Sequence, residues 1–336
     1  MMTTSSRVDL VRLAEEFWSW RMATQPDSYD DVTRVDRPRG WLPDWSPDAI
    51  AERRQMLAGF TRRHSGLDVS AAPVAEQVDT ALLGSALARA HWELNLLCAW
   101  RRNPCFHLDQ ALVPLYNLLL LPTPWPGTQV RDIVDLLVHV PEVLQHARHH
   151  LTGNAAATFA QYALNILATA DKSLGTAMSA LGRTLPAAQA RELSAGTDTA
   201  QRALVDYRRW LREHLPTFTA SCSPSPKAFQ YFLHRVALIP YPVQRLLDMS
   251  RQEYARTAAA EMVLRRRHRN LPEPALLADS TRQVDRQRAD EQHIRTFLRG
   301  EGLVDLPDDL RHYYNTLCRP TCSPSRGSAC RTTSPR

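Results

Sequence analysis

The chain has 336 residues, 44% of them hydrophobic, and its 41 basic against 35 acidic side chains leave a net charge of +6. That length can bury a substantial core, in about two domains or one large helical one. The charge surplus is mild, and its densest cluster, Arg265 to Arg269 in "LRRRHRN", closes a long helical pattern where cations complement the helix dipole, so no nucleic-acid partner is expected.

No stretch reaches about 18 uncharged apolar residues, and the opening "MMTTSSRVDLVRLAEEFWSW" places no apolar run before a small-residue cleavage site. The expectation is a protein without a membrane span, located in the cytoplasm. Cys98, Cys105 and Cys222 are scattered, as in a protein of a reducing compartment, whereas Cys318, Cys322 and Cys330 crowd into the terminal stretch.

In chain order, Leu10, Leu13, Phe17 and Trp20 recur at spacings of three and four and predict an amphipathic helix from Val8 to about Ala23. A Pro/Asp-rich loop follows. Ser46, Pro47 and Asp48 then supply an N-cap, a first-turn proline and a first-turn acid for the next helix. From Glu76 to Arg102 one long helix is expected, ended by Pro104. Further helices are expected over Leu108 to Leu121, over Pro141 to Leu151 with Pro141 at its start, over Ala155 to Leu181, and over Pro186 to Leu215.

The Pro/Ser stretch "TASCSPSP", residues 219 to 226, is the best boundary. The expected organisation is therefore an N-terminal helical region over 1–218, a Pro/Ser link over 219–226, a C-terminal helical region over 227–316, and a disordered tail over 317–336. Within the third region a break at Pro240 to Pro242 separates two helices, and a last charged helix stops at Gly300 and Gly302. Alternation typical of strands is scarce, so the fold class is all-α: a multi-helix array with long amphipathic helices and no significant sheet.

Catalytic motifs are missing. No His-Glu dipeptide occurs, and three residues before the Glu213 and His214 pair stands Trp210 rather than histidine. His91, Glu93, Pro104 and Cys105 superficially follow a zinc-deaminase pattern, but Leu108 stands where its second cysteine belongs. His139, His146, His149 and His150 are the densest histidine cluster. His146 and His150 could share one helix face, but with Pro141 starting the helix and no acid at helical spacing they read as surface histidines.

Asp30 with Asp31, and Asp308 with Asp309, read as solvated acids or caps; the terminal cysteines, with His312 nearby, lack a second pair of zinc ligands. The chain itself is therefore expected to carry no catalytic residue, no metal ligand and no cofactor.

Five stretches together resemble the N-terminal half of a bacterial family, domain-of-unknown-function family 885, whose members are regarded as zinc metallopeptidase-like. They are "LAEEFWSWRMATQPDSYDD", "WLPDWSPDAIAERR", "WRRNPCFHLDQALVPLYNLLL", "YFLHRVALIPYPVQRLLDMSRQEYARTAAAE" and "DRQRADEQHIRTFLRGEGLVDLPDDLRHYYN", spanning about residues 8 to 315. The resemblance implies zinc and a peptide-like substrate for full-length relatives, whose zinc-binding His-Glu motif would lie in a second half.

The closing "RPTCSPSRGSACRTTSPR" departs from that family. Shifting its reading frame by one base permits Leu at Cys322, Gly at Gly327, and Asp, Asp and Leu at Thr332, Thr333 and Ser334, in keeping with a family-like run. The expectation is a frame change near Leu317 and a truncated, catalytically inactive helical part of a peptidase-like protein. The alternative is a standalone α-helical binding protein with a disordered Ser/Pro/Arg tail.

Overall fold

The computed structural model describes residues 4–27, 37–119, 127–272, 279–307 and 309–310. Its helices are α1 (Thr4–Thr24), α2 (Pro47–Ser65), α3 (Val74–His91), α4 (Ala99–Arg102), α5 (Pro104–Leu119), α6 (Gly127–Leu151), α7 (Ala157–Leu167), α8 (Ala170–Gly182), α9 (Ala187–His214), α10 (Pro226–Tyr231), α11 (Val243–Arg267) and α12 (Ser280–Gly300). Two π-helices, Trp92–Leu97 and Phe232–Val236, interrupt the α-helical course. Among the described residues there is no strand, only an isolated antiparallel bridge between Ala156 and Thr219. The all-α reading stands.

Two apolar cores account for the architecture. In the first, Leu10, Leu13 and Phe17 of α1 meet Ile50, Leu57 and Phe60 of α2 and Leu83 and Leu87 of α3. The rings of Phe17 and Phe60 pack edge to face at 5.8 Å. The Ser46 hydroxyl accepts from the Ala49 N–H, with Pro47 and Asp48 in the first turn, which is the helix start expected from those residues.

The second core joins α5 to α9. Along α9 the buried stripe Leu193, Gly196, Ala200, Leu204, Tyr207 and Leu211 advances by three and four and faces α6. A Cβ on Gly196 would lie 3.4 Å from the Leu137 Cβ and 3.7 Å from the Val134 carbonyl, so the lack of a side chain sets how closely α6 and α9 approach.

Three of the expected helices differ from those observed. Pro141 does not start a helix; it lies inside α6, which begins at Gly127. An interior proline forfeits one backbone hydrogen bond and costs about 3 kcal/mol. Against it, Ile133, Leu137, Val140, Val143, Leu144 and Leu151 are all buried on the same helix, and each such side chain contributes about 1.5 to 3 kcal/mol. Burial outweighs the proline several-fold, and the helix runs through it.

The predicted continuous helix from Glu76 to Arg102 is also broken. The π-helix over Trp92–Leu97 ends at Cys98, which adopts a left-handed conformation (φ 48°), with its N–H bonded to the Glu93 carbonyl five residues back. The bulge turns the Leu94 carbonyl toward side chains: Trp100 Nε1–H (3.3 Å), Arg54 Nη2–H (3.1 Å) and the Cys98 thiol (3.4 Å) all donate to it. Three such bonds offset the roughly 1 to 2 kcal/mol cost of a left-handed non-glycine residue. The expected helix from Ala155 to Leu181 is divided too, between Leu167 and Ala170.

The Pro/Ser stretch beyond α9 is extended and tied to the body. The Ala220 N–H bonds to the Ala155 carbonyl at 3.2 Å, and the Arg102 guanidinium donates to the carbonyls of Ser221 and Ser223. Beyond it, the second π-helix packs on α3, with Ser85 Oγ donating to the Val236 carbonyl at 2.7 Å. Leu238 turns the chain with φ 53°, Pro242 caps α11, and from there no residue of α11 is buried. The proposed tail from Leu317 onward lies outside the described residues.

Candidate functional site

Between the two cores runs a buried polar seam, built on residues 37–45. Arg37 stacks on the Trp41 ring at 4.1 Å, pairs with Asp27 at 3.0 Å and donates to the Met22 carbonyl, which fastens this segment to the end of α1. Buried Gln110 of α5 exchanges two 2.9 Å hydrogen bonds with the Asp27 backbone. Three successive carbonyls are then each claimed by a side chain. His139 Nε2–H donates to Pro43 (3.0 Å), Arg53 Nη2–H to Asp44, and His150 Nε2–H to Trp45 (2.7 Å).

The histidines therefore do not behave as the surface groups expected from their spacing. Only His149 is exposed; His139 and His146 are half-buried and His150 is buried, because α6 extends N-terminal of Pro141, packs against α4 and α5, and turns His139 and His150 onto residues 43–45. His139 Nδ1 also lies 3.2 Å from the Glu142 carboxylate, an ion pair when the ring is protonated.

Sequence reasoning passed over His107, the most buried of all. Its Nε2–H donates to the Trp100 carbonyl at 2.6 Å, and its ring stacks on His150 at 6.0 Å. Burial, with His150 and His146 nearby, pushes it down to about 3, so it stays neutral. Burial lowers His150 as well. Arg53, lying over the Trp45 ring at 4.4 Å, is lowered to about 10 by burial, with nearby Asp44 favouring its charged form. A His inside an apolar-looking run, "NPCFHLDQALVPL", was the available signal for His107.

His107, His139, Arg53 and His150 each donate to a backbone carbonyl and so tie chain segments together. His107 Nδ1, His146 Nδ1 and Arg53 Nη1 are buried without a hydrogen-bond partner. Among the described residues no group of three His, Cys, Asp or Glu side chains is arranged to hold a metal ion, so the residues present do not fit the zinc that the sequence resemblance implies for full-length relatives.

The remaining sequence candidates are occupied. Glu93 pairs with Arg21 and Arg89; Cys105 is buried; His214 Nδ1–H donates to the Trp210 carbonyl. Burial raises the Cys98 thiol, which makes it a poor nucleophile. Asp30, Asp31, Asp308, His312, Cys318, Cys322 and Cys330 lie outside the described residues.

Concavities offer little more. A groove between α1 and α2, lined by Glu16, Trp20, Met56, Phe60 and Arg63, is shallow and bridged by the Glu16 to Arg63 ion pair. The outstanding surface feature is instead α11, with Tyr254 78% and Met262 73% exposed, and α12, with Ile294 and Phe297 about half exposed. No helix is long and apolar enough to cross a membrane, among the described residues.

Residues 29–300 match the family model described as "Bacterial protein of unknown function (DUF885)". The chain belongs to this family. No curated protein matches it. Among solved structures, this DUF885 chain is similar to a candidate lipoprotein of unknown function from Shewanella oneidensis, with a TM-score of 0.62 and 11% sequence identity. The match covers 91% of the present chain but 59% of the Shewanella protein, so the chain spans about three-fifths of that protein's length. At that identity the likeness carries the fold alone.

Proposed function

We propose that this chain is the helical, non-catalytic part of a zinc metallopeptidase-like assembly. The groups that bind zinc and activate water belong to polypeptide outside the portion described. One observation carries the reading: the helices α11 and α12 leave apolar side chains uncovered in a chain that matches only 59% of the Shewanella protein. An amphipathic helix gains most of its stability from the face it packs, so a 25-residue helix without one buried side chain reads as half of an interface. The cytoplasm is the compartment of this reading, and peptide-like molecules are the substrate class of the complete assembly.

The reading also includes a one-base frame change near Leu317, supported by the Cys/Ser/Pro/Arg composition that follows it. Two experiments test it. Purified chain supplied with Zn2+ should hydrolyse no member of a broad peptide library, since in this reading the ligands that hold the metal and the base beside it belong to other polypeptide. Resequencing from codon 300 through several hundred bases beyond codon 336 should reveal a His-Glu-encoding frame. An intact frame with no such remainder would refute the peptidase-like reading. It would favour the second one, a standalone helical binding protein using the same exposed face.

A further inference from the structure

We propose that residues 43–45 form an acid-opened latch: protonation of the histidines beneath them releases this segment from α5 and α6 while the second core stays folded. The inference is independent of the peptidase-like reading. Residues 37–46 contain no helix or strand, so side chains of the surrounding helices hold them in place. His139 and His150 of α6 take the Pro43 and Trp45 carbonyls, and Arg53 of α2 takes that of Asp44. The Trp45 ring stands edge-on to Phe106 of α5 at 4.6 Å.

Under this segment the rings of His107 and His150 lie nearly parallel, 16° apart in plane and 6.0 Å between centroids, with the Trp100 ring edge-on to His150 at 4.9 Å. His146 stands near both rings. The arrangement suits neutral imidazoles only. His107 spends its one N–H on the Trp100 carbonyl, and its Nδ1, like that of His146, is buried without a partner. A second proton on either ring would have no acceptor, and two stacked imidazolium ions would repel.

The charged neighbours do not relieve this. Arg101 of α4 and His149 of α6 oppose a proton on His150, and Arg53 lies over the Trp45 ring. Asp44, near His146 and Arg53, has a carboxylate that accepts from the Ser46 N–H at 2.8 Å. Glu142 faces His139, at the outer end of the contact. Burial accordingly lowers both His107 and His150. A histidine freed to water titrates near 6.5, so as pH falls below that value the open form takes up protons that the closed form refuses. Between pH 7.5 and 5.5 each freed histidine favours opening about tenfold. Solvated carboxylates titrate near 4, below that window.

The test is thiol labelling of the full-length variant Pro43→Cys with a dipyridyl disulfide, read peptide by peptide by mass spectrometry. Exposed Cys222 normalises the reagent, and Cys105, buried in the second core, reports global unfolding. The thiol at position 43 should react well ahead of Cys105, at least about tenfold faster at pH 5.5 than at pH 7.5 relative to Cys222. About 1 M urea should speed Cys105 far more than position 43, because local opening exposes little surface. Adding His107→Gln and His150→Gln, which keep an N–H but cannot titrate, should remove most of the acid response.

Hydrogen exchange of the parent chain in peptides covering 41–50, corrected for intrinsic rate, should show the same acid response without a substitution at Pro43. The proposal is overturned if position 43 shows no acid response, or if the response survives in the histidine variants. It is equally overturned if position 43 and Cys105 react together with the same urea dependence, since the chain then unfolds as a whole.

Discussion

His107 should make the protein acid-sensitive well above the pH at which carboxylates titrate. Its pKa is about 3 in the folded chain, and an unfolded histidine titrates near 6.5. At pH 7 the ring is neutral in the folded state and mostly neutral in the unfolded one, so it contributes little pH dependence. As pH falls below about 6.5 the unfolded chain takes up a proton that the folded chain refuses, so stability drops, and the loss continues until the folded ring itself protonates near 3. At pH 5 this amounts to about 2 kcal/mol from His107 alone, a large share of a typical 5 to 15 kcal/mol.

His150, lowered by the same burial, adds in the same direction. The assay is urea unfolding at pH 7, 6 and 5 on the parent and on His107→Gln, whose amide keeps an N–H for the Trp100 carbonyl but cannot titrate. The loss between pH 7 and 5 should be about 2 kcal/mol smaller in the variant. Parallel curves for the two proteins would refute the assignment of a neutral, buried His107.

Other perturbations separate the packed body from the exposed helices. Leu137→Ala, in the centre of the second core, should cost about 2 to 5 kcal/mol in chemical unfolding, whereas Leu247→Ala on α11 should stay within about 0.5 kcal/mol. Arg53→Met removes the donor to the Asp44 carbonyl and the cation over Trp45; a loss of about 1 to 3 kcal/mol is expected, and an unchanged Tm would mean the seam is not held there. Gly196→Val should push α9 off α6 and lower Tm by several degrees in a thermal melt, because the added methyl groups meet Leu137 and Val138.

The helical fold class was legible in the chain because amphipathic periodicity is a local property. Leu10, Leu13 and Phe17 announce the buried stripe of α1, and Ser46 with Pro47 announces the start of α2, from neighbours a few residues away. The seam was legible only as a cluster of histidines with no assigned purpose. The partners of His139 and His150, the carbonyls of Pro43 and Trp45, lie about a hundred residues away in sequence, and no local pattern encodes such a pairing.

Tertiary packing decided three further matters. It carried α6 through Pro141, because a row of buried aliphatic side chains outweighs one missing hydrogen bond. It opened the π-helix at Trp92, because Trp100 and Arg54 compete for the Leu94 carbonyl. It also left α11 uncovered, a fact that periodicity cannot carry: the sequence specifies which face of a helix is apolar, while whether that face is buried depends on what else is present to pack against it.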